Sequence, residues 1–319
     1  MELLDKLKKM ISQRKGTAAA PGAGRTIDKK IIIIGASLVV SIVLMVFLFG
    51  LETRLSSQIK SYTAVGSEQQ LISQQIVVNA FDAVAGKSAA FGLLVANQNR
   101  YLETLKILDE AANSRSLSLL TSDFSLEYSN LKDIWTSYNK NIGTVTAARK
   151  SIESVRQSVN QIKESLPQLK SLSREVVKSL VRAKAPQRNI ALAASQLALL
   201  GDIENNLNQI STDGKVVLAT TDRISGASQL IEKQLIAMLE GDSSLGIKRF
   251  TRSVVVGKLV QFADLFSVVK RNLKQVFDNS AAIFEADRAT LKLQSLSPGI
   301  LTASTGLLAK FSTWDTQLR

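Results

Sequence analysis

Hydrophobic positions divide this chain into one uniformly apolar stretch and a long amphipathic remainder. Residues 31–50 read IIIIGASLVVSIVLMVFLFG and contain no charged residue. An α-helix needs roughly 20 apolar residues to cross the hydrocarbon core of a bilayer, and this stretch has that length. Lys29 and Lys30 precede it, and Glu52 follows it. The pattern therefore predicts a transmembrane helix over residues 31–50.

After residue 50, apolar residues recur every three or four positions, which is the spacing of a packed α-helix. The predicted helices of this part cover residues 51–85, 89–112, 123–166, 186–239 and 245–296. We expect turns at Gly86-Lys87-Ser88 and at Gly241. Pro167 should kink or interrupt its helix, and Pro298 should precede a last short helix. The predicted fold class is all-α: a transmembrane helix followed by a bundle of long helices.

Short motifs in the two halves of this outer part match at an offset of about 130 residues. Residues 105–110 (LKILDE) resemble residues 236–242 (IAMLEGD), and residues 135–142 can be set against residues 266–273. The offset is longer than the period of solenoid repeats and indicates tandem helical bundles. We therefore predict two stacked four-helix-bundle modules. The predicted organisation is an N-terminal arm at 1–30, the span at 31–50, and modules at 51–165 and 166–319.

Positive charge is concentrated before the apolar stretch. Residues 1–30 hold eight Lys or Arg and three acidic residues. The positive-inside rule places such an arm in the cytoplasm and residues 51–319 on the other side of the membrane. A cleaved signal peptide is the alternative. The length of the apolar core and the lack of a small-residue cleavage site favour an uncleaved anchor.

Composition restricts the chemistry that this chain can perform. It contains no cysteine and no histidine, which removes thiol nucleophiles, histidine bases and the commonest metal ligands. Phosphate-binding loops and hydrolase motifs are also missing from the sequence. We therefore expect no catalytic residue, no metal and no cofactor. The net charge of +13 is spread thinly, and aromatic residues make up 5%, so we expect no nucleic-acid partner.

The stretch with the most notable side chains is residues 67–80, SEQQLISQQIVVNA, which carries five amides. On a helix, Glu68, Gln75 and Asn79 fall near one face, while Gln70 and Gln74 lie on a neighbouring face. Such amides can be satisfied by neighbours and fix the register of a bundle, or they can line a binding site between helices. Our candidates for contact with a ligand or partner are Glu68, Gln70, Gln74, Gln75 and Asn79.

The same stretch carries a family resemblance. Together with GKSAAF at residues 86–91 and LPQL at residues 166–169, it resembles the periplasmic sensory region of type IV pilus methyl-accepting chemotaxis transducers, the PilJ family. The resemblance implies an inner-membrane homodimer with a periplasmic ectodomain of two stacked bundles. It also implies a pilus component as partner, with the major pilin as one possibility. A chemotaxis adaptor and kinase would bind only through a cytoplasmic domain that is absent from this chain.

Two departures from the family pattern affect the expected function. Related nitrate sensors bind their anion through an arginine in this motif, but no arginine lies between Arg54 and Arg100 here, so we do not predict a nitrate site. The sequence ends at Arg319, just after Trp314, which we expect at a membrane interface. We expect a sensory ectodomain that transmits a helix displacement. The alternative is a single-span scaffold protein of the cell envelope.

Overall fold

The computed structural model describes residues 29–112, 122–213 and 218–318. The predicted cytoplasmic arm, residues 1–30, therefore lies almost wholly outside the described residues. Seven α-helices account for nearly all of the described ranges, and no strand occurs within them. They are α1 (Lys29–Val84), α2 (Ser88–Ala112), α3 (Ser122–Ala147), α4 (Arg149–Arg182), α5 (Gln187–Asp213), α6 (Leu218–Glu240) and α7 (Ser253–Leu318). The predicted all-α fold is confirmed.

The chain divides into two compact units, one up to Ser56 and one from Ser57 onward. In the first unit, every side chain of α1 between residues 37 and 50 is exposed, including Leu38, Met45 and Phe49. A run of exposed large apolar side chains suits hydrocarbon better than water. Among the described residues, α1 is the one helix that is long and apolar enough to span a membrane. Its orientation stays a prediction.

In the second unit, one group of helices consists of α1 from Ser57 onward, α2, α3 and the C-terminal half of α7. Helix α3 packs against both α2 and α7. The Tyr138 hydroxyl of α3 donates a 2.7 Å hydrogen bond to the Ser73 carbonyl of α1. Gly66 brings α1 close to α7, because a Cβ at this position would lie 2.8 Å from Leu308 Cδ2. We call these four segments the first group.

The second group consists of α4, α5, α6 and the N-terminal half of α7. Its helices pack in the order α4 on α5, α5 on α6, and α7 on both α4 and α6. The shared interior is apolar, and its fully or almost fully buried side chains include Leu169, Val176, Leu200, Ile203, Ile231, Phe262 and Val269. Helices α3 and α4 are separated by Ala148 alone, so two chain segments, α3–α4 and α7, run through both groups.

The predicted module bounds assign all of α7 to the second module. In the structure, however, the C-terminal half of α7 packs in the first group: the rings of Tyr62 and Phe311 lie 5.7 Å apart. The module bounds at residues 51–165 and 166–319 themselves stay a prediction.

The turn between α1 and α2 is where the sequence predicts it, because Gly86 adopts a left-handed backbone (φ 86°) that suits glycine. The predicted helix over 245–296 is wrong at its start. Residues 241–252 form a loop instead, in which Asp242 and Ile247 exchange two 2.8 Å backbone hydrogen bonds. Helix α7 begins only at Ser253.

The two prolines expected to break helices do not end them. Pro167 lies inside α4 and Pro298 lies inside α7. Each proline removes one backbone hydrogen-bond donor. Both prolines are exposed. The carbonyl that loses its partner because of Pro298 belongs to Gln294, which is also exposed. Water can satisfy that carbonyl while the buried neighbours keep their packing. The last short helix predicted after Pro298 is therefore the continuation of α7.

The expectation for Trp314 is also wrong. Its side chain is only 6% exposed, and its ring centroid lies 5.6 Å from that of Phe311 in an edge-on arrangement. Phe311 in turn contacts Tyr62. Trp314 therefore belongs to the interior of the first group, where it closes the core beside the start of the second unit.

Candidate functional site

The amide-rich stretch of α1 has a buried side and an exposed side. Ile72, Ile76 and Ala80 are fully buried on the side that faces the first group. On the opposite side, Leu71 is 55% exposed and Val78 is 60% exposed. A helix with core contacts on one face and large apolar side chains on the other has a second surface, which here lacks a partner within the described part of the chain.

The five predicted site residues lie in different surroundings. Gln74 and Gln75 are exposed, whereas Glu68, Gln70 and Asn79 are half-buried. The Gln70 amide donates a 2.9 Å hydrogen bond to the Thr305 hydroxyl of α7. The set is therefore spread around the outer half of α1, and its role in binding stays a prediction.

Glu68 has a partner that bears on the missing nitrate site. The Arg100 guanidinium of α2 lies 2.5 Å from the Glu68 carboxylate. Helix α2 thus brings an arginine to the stretch that lacks one in the sequence. Because a carboxylate already neutralises this guanidinium, the pair does not offer a free cation for an oxyanion.

The amide that the sequence analysis did not select is the buried one. Gln69 is fully buried, and neither its Nε2 nor its Oε1 has a hydrogen-bond partner among the described residues. The signal was present in the sequence. Val65, Ile72 and Ile76 lie at helical spacing around Gln69, which places it on the core face of α1.

Three other buried side chains of the first group share this property. They have polar atoms without a hydrogen-bond partner in the described part of the chain: Tyr101 Oη of α2, Trp135 Nε1 of α3 and Ser304 Oγ of α7. The rings of Tyr101 and Trp135 stack with centroids 3.8 Å apart and planes 10° apart. Each of the four helices in the first group therefore contributes one such side chain.

Contacts between adjacent residues place the four side chains at about the same height along the bundle. The Glu68–Arg100 pair joins the residues beside Gln69 and Tyr101. The Gln70–Thr305 bond joins the residues beside Gln69 and Ser304. We call Gln69, Tyr101, Trp135 and Ser304 the polar layer.

The polar layer is energetically costly. A buried polar group without a partner costs about 1–3 kcal/mol, and replacing it with an apolar group of similar shape removes that cost. Burial also raises the pKa of Tyr101 well above its ordinary value, so its hydroxyl stays protonated. The layer offers neutral donors and acceptors and no charge. It is suited to hydrogen bonding rather than to proton transfer.

Comparisons with known proteins agree with the family resemblance. The chain is 27% identical to Protein PilJ of Pseudomonas aeruginosa over 274 residues, which is 86% of this chain and 40% of that protein. It is 23% identical to AlkN of Alcanivorax borkumensis, named for methyl-accepting chemotaxis, over 91% of this chain and 41% of that protein. The chain thus spans about two fifths of the length of these curated relatives.

No protein-family model matches the chain. Each of the two alignments nevertheless covers more than four fifths of this chain. The predicted resemblance is therefore confirmed: over most of its length this chain is similar to PilJ-like chemotaxis transducers.

Proposed function

We propose that this chain is the membrane anchor and periplasmic sensory region of a type IV pilus chemoreceptor of the inner membrane. In this role it senses a partner during twitching motility or surface contact. The observation that carries the proposal is that α1 is one uninterrupted helix from Lys29 to Val84. It contains both the apolar stretch and the amide stretch. The similarity to PilJ supports the assignment to chemotaxis.

The mechanism begins with a change in how α1 packs in the first group. In the arrangement seen here, the Gln69 side chain has no hydrogen-bond partner among the described residues. A small shift or rotation of α1 that paired this amide would recover part of the cost of its burial. When two packings differ by a few kcal/mol, a partner that binds one of them better shifts the equilibrium toward that packing. A continuous helix would carry such a displacement into the membrane.

The exposed side of α1 is suited to a second copy of the chain. Its exposed positions recur at alternating steps of three and four residues: Ala64, Ser67, Leu71, Gln74 and Val78. This is the heptad spacing of a coiled-coil seam. Gln74 occupies a central position in it, where a polar residue fixes register at some cost in stability. We therefore assign this seam to a homodimer.

Three of the other candidate residues flank this seam, and the fourth, Glu68, is paired with Arg100. Gln70 and Asn79 are half-buried beside it, and Gln75 is exposed next to Gln74. A partner that contacted these side chains would bear directly on the packing of α1. We assign them to the binding of a pilus component, with the major pilin as the first protein to test.

The native chain contains no cysteine, so engineered cysteines report on the dimer without background. We would introduce Leu71→Cys or Val78→Cys into the full chain in membranes and oxidise it. The matched control is Leu126→Cys on α3, where the native side chain is 73% exposed. We expect disulfide-linked dimers for the two seam positions and little product for the control.

The same assay, repeated with purified major pilin, tests sensing. We expect pilin to change the cross-linking yield at Leu71→Cys, and Gln70→Ala to weaken that response. Equal cross-linking at all three positions would refute the α1 dimer. A seam dimer that ignores pilin would refute this partner.

A further inference from the structure

Two loops of the second group carry an unusual concentration of positive charge. Residues 182–188 (RAKAPQR) and residues 246–252 (GIKRFTR) each contain three basic residues and no acidic residue. The first segment joins α4 to α5, and the second belongs to the loop before α7. The six basic residues are Arg182, Lys184, Arg188, Lys248, Arg249 and Arg252. We call them the basic tip.

The structure brings the two loops together. The Arg252 guanidinium donates a 3.4 Å hydrogen bond to the Ala183 carbonyl of the other loop. Arg188 reaches across in the opposite direction, since its Nη1 occupies the space that a Cβ on Gly246 would fill. The six cations therefore form one surface at the end of the second group where α4 ends and α7 begins.

This charge is exposed and is not engaged in ion pairs within the described residues. All six side chains are exposed. Other lysines of the second group are paired with carboxylates, such as Lys170 with Glu204 and Lys270 with Glu232. No ion pair within the described ranges involves a residue of the basic tip. The carboxylate of the nearby Asp242 already accepts hydrogen bonds from the Ser244 amide and hydroxyl and from the Leu245 amide.

Exposed apolar side chains accompany the cations. Val181 is 54% exposed at the end of α4, and Val254 is 66% exposed at the start of α7. Four of the six cations are arginines, whose planar guanidinium pairs with two carboxylate oxygens at once. Arginine mixed with exposed apolar groups is characteristic of protein–protein interfaces. A nucleic-acid site would instead show a basic stripe with aromatic side chains for stacking.

We propose that the basic tip is a docking surface for an acidic protein. The partner would present several Asp or Glu side chains around a small apolar patch that covers Val181 and Val254. This surface lies in the second group, whereas the polar layer and the seam lie in the first group. The proposal therefore does not depend on pilin sensing.

The test measures the binding of a fluorescent ten-residue glutamate peptide to the full chain in phosphatidylcholine nanodiscs. The test variant removes three tip charges, Lys184→Gln, Lys248→Gln and Arg249→Gln. The matched control removes three exposed lysine charges remote from the tip: Lys106→Gln on α2, Lys140→Gln on α3 and Lys150→Gln at the start of α4. We expect the tip variant to bind the peptide about tenfold more weakly and the control to bind it within about twofold of the native chain. Salt screens charges that lie more than about 8 Å from the peptide, so charges in contact with it contribute more to binding than the net charge does.

Equal weakening in the two variants would overturn the proposal, because net charge alone would then explain binding. A DNA duplex or a phosphatidylserine vesicle that binds the tip more tightly than the peptide would also overturn it. Circular dichroism of both variants provides the check on folding. All six substituted side chains are exposed, so we expect native helix content in each.

Discussion

Replacing Gln69 with methionine should stabilise the protein. Both polar atoms of the Gln69 amide are buried without a partner in the described residues. Methionine has a similar length and volume and brings no hydrogen-bonding demand to the site. Removing an unsatisfied buried amide recovers about 1–3 kcal/mol. At about 2–4 °C per kcal/mol for a domain of a few hundred residues, a gain of about 2 kcal/mol raises Tm by about 4–8 °C.

The assay is thermal unfolding of the full chain in mild detergent, followed by the loss of helical circular dichroism. The matched control is Gln75→Met, an exposed amide six residues further along the same helix, for which we expect little change in Tm. A Gln69→Met variant that unfolds at a lower temperature than the native protein would refute the reasoning. It would mean that the amide is hydrogen-bonded in solution.

Three further predictions concern other parts of the bundle. Tyr138→Phe removes the hydroxyl that donates to the Ser73 carbonyl and should lower the free energy of unfolding by about 1 kcal/mol in a denaturant titration. Phe262→Ala opens a cavity at a fully buried position and should cost about 3–5 kcal/mol in the same titration. The hydrogen bond from the Tyr128 hydroxyl holds the pKa of Asp109 below its ordinary value, so Tyr128→Phe should raise that pKa in a carboxyl NMR titration.

The lowered pKa of Asp109 determines the direction in which pH changes the stability of the folded protein. Because its pKa is lower in the folded state, the ionised carboxylate contributes stability above its ordinary pKa of about 3.9. That contribution is lost as the pH falls through the lowered pKa. An unchanged Asp109 pKa in Tyr128→Phe would show that Lys132, its other hydrogen-bonding partner, sets the shift alone. The control for the denaturant titrations of Tyr138→Phe and Phe262→Ala is Phe284→Ala, because the Phe284 side chain is 42% exposed.

Much of the fold was predictable because its signals are local. The apolar run at 31–50 and the turn at Gly86 depend on neighbouring residues only, and the structure places a helix and a left-handed glycine there. The path of α7 was not predictable in this way. Pro298 is a strong local signal for a break, but contacts with residues more than 200 positions earlier, such as Thr305 with Gln70, hold the helix together.

In the candidate site, too, some features follow from local sequence signals and others depend on tertiary packing. The sequence singled out this stretch of α1 as a candidate but did not show which of its amides is buried, since amides are usually exposed. Helical spacing alone would have placed Gln69 between Val65 and Ile72 on the core face. The partners of Gln69 in the polar layer could not be predicted. Tyr101, Trp135 and Ser304 come from three separate helices whose packing no local pattern specifies.

The position of α7 has a consequence for how this protein is made. The first group needs the C-terminal half of α7, where Phe311 and Trp314 are buried, to cover the core that α1, α2 and α3 leave open. At roughly 5–20 residues per second, the ribosome adds these residues roughly ten to thirty seconds after it completes α3. Until then, Tyr62, whose ring contacts Phe311, and Ile134, which lies against Gly299, lack part of their cover. The nascent ectodomain therefore passes through a stage with exposed apolar surface, in which aggregation is a hazard and chaperones would be most useful.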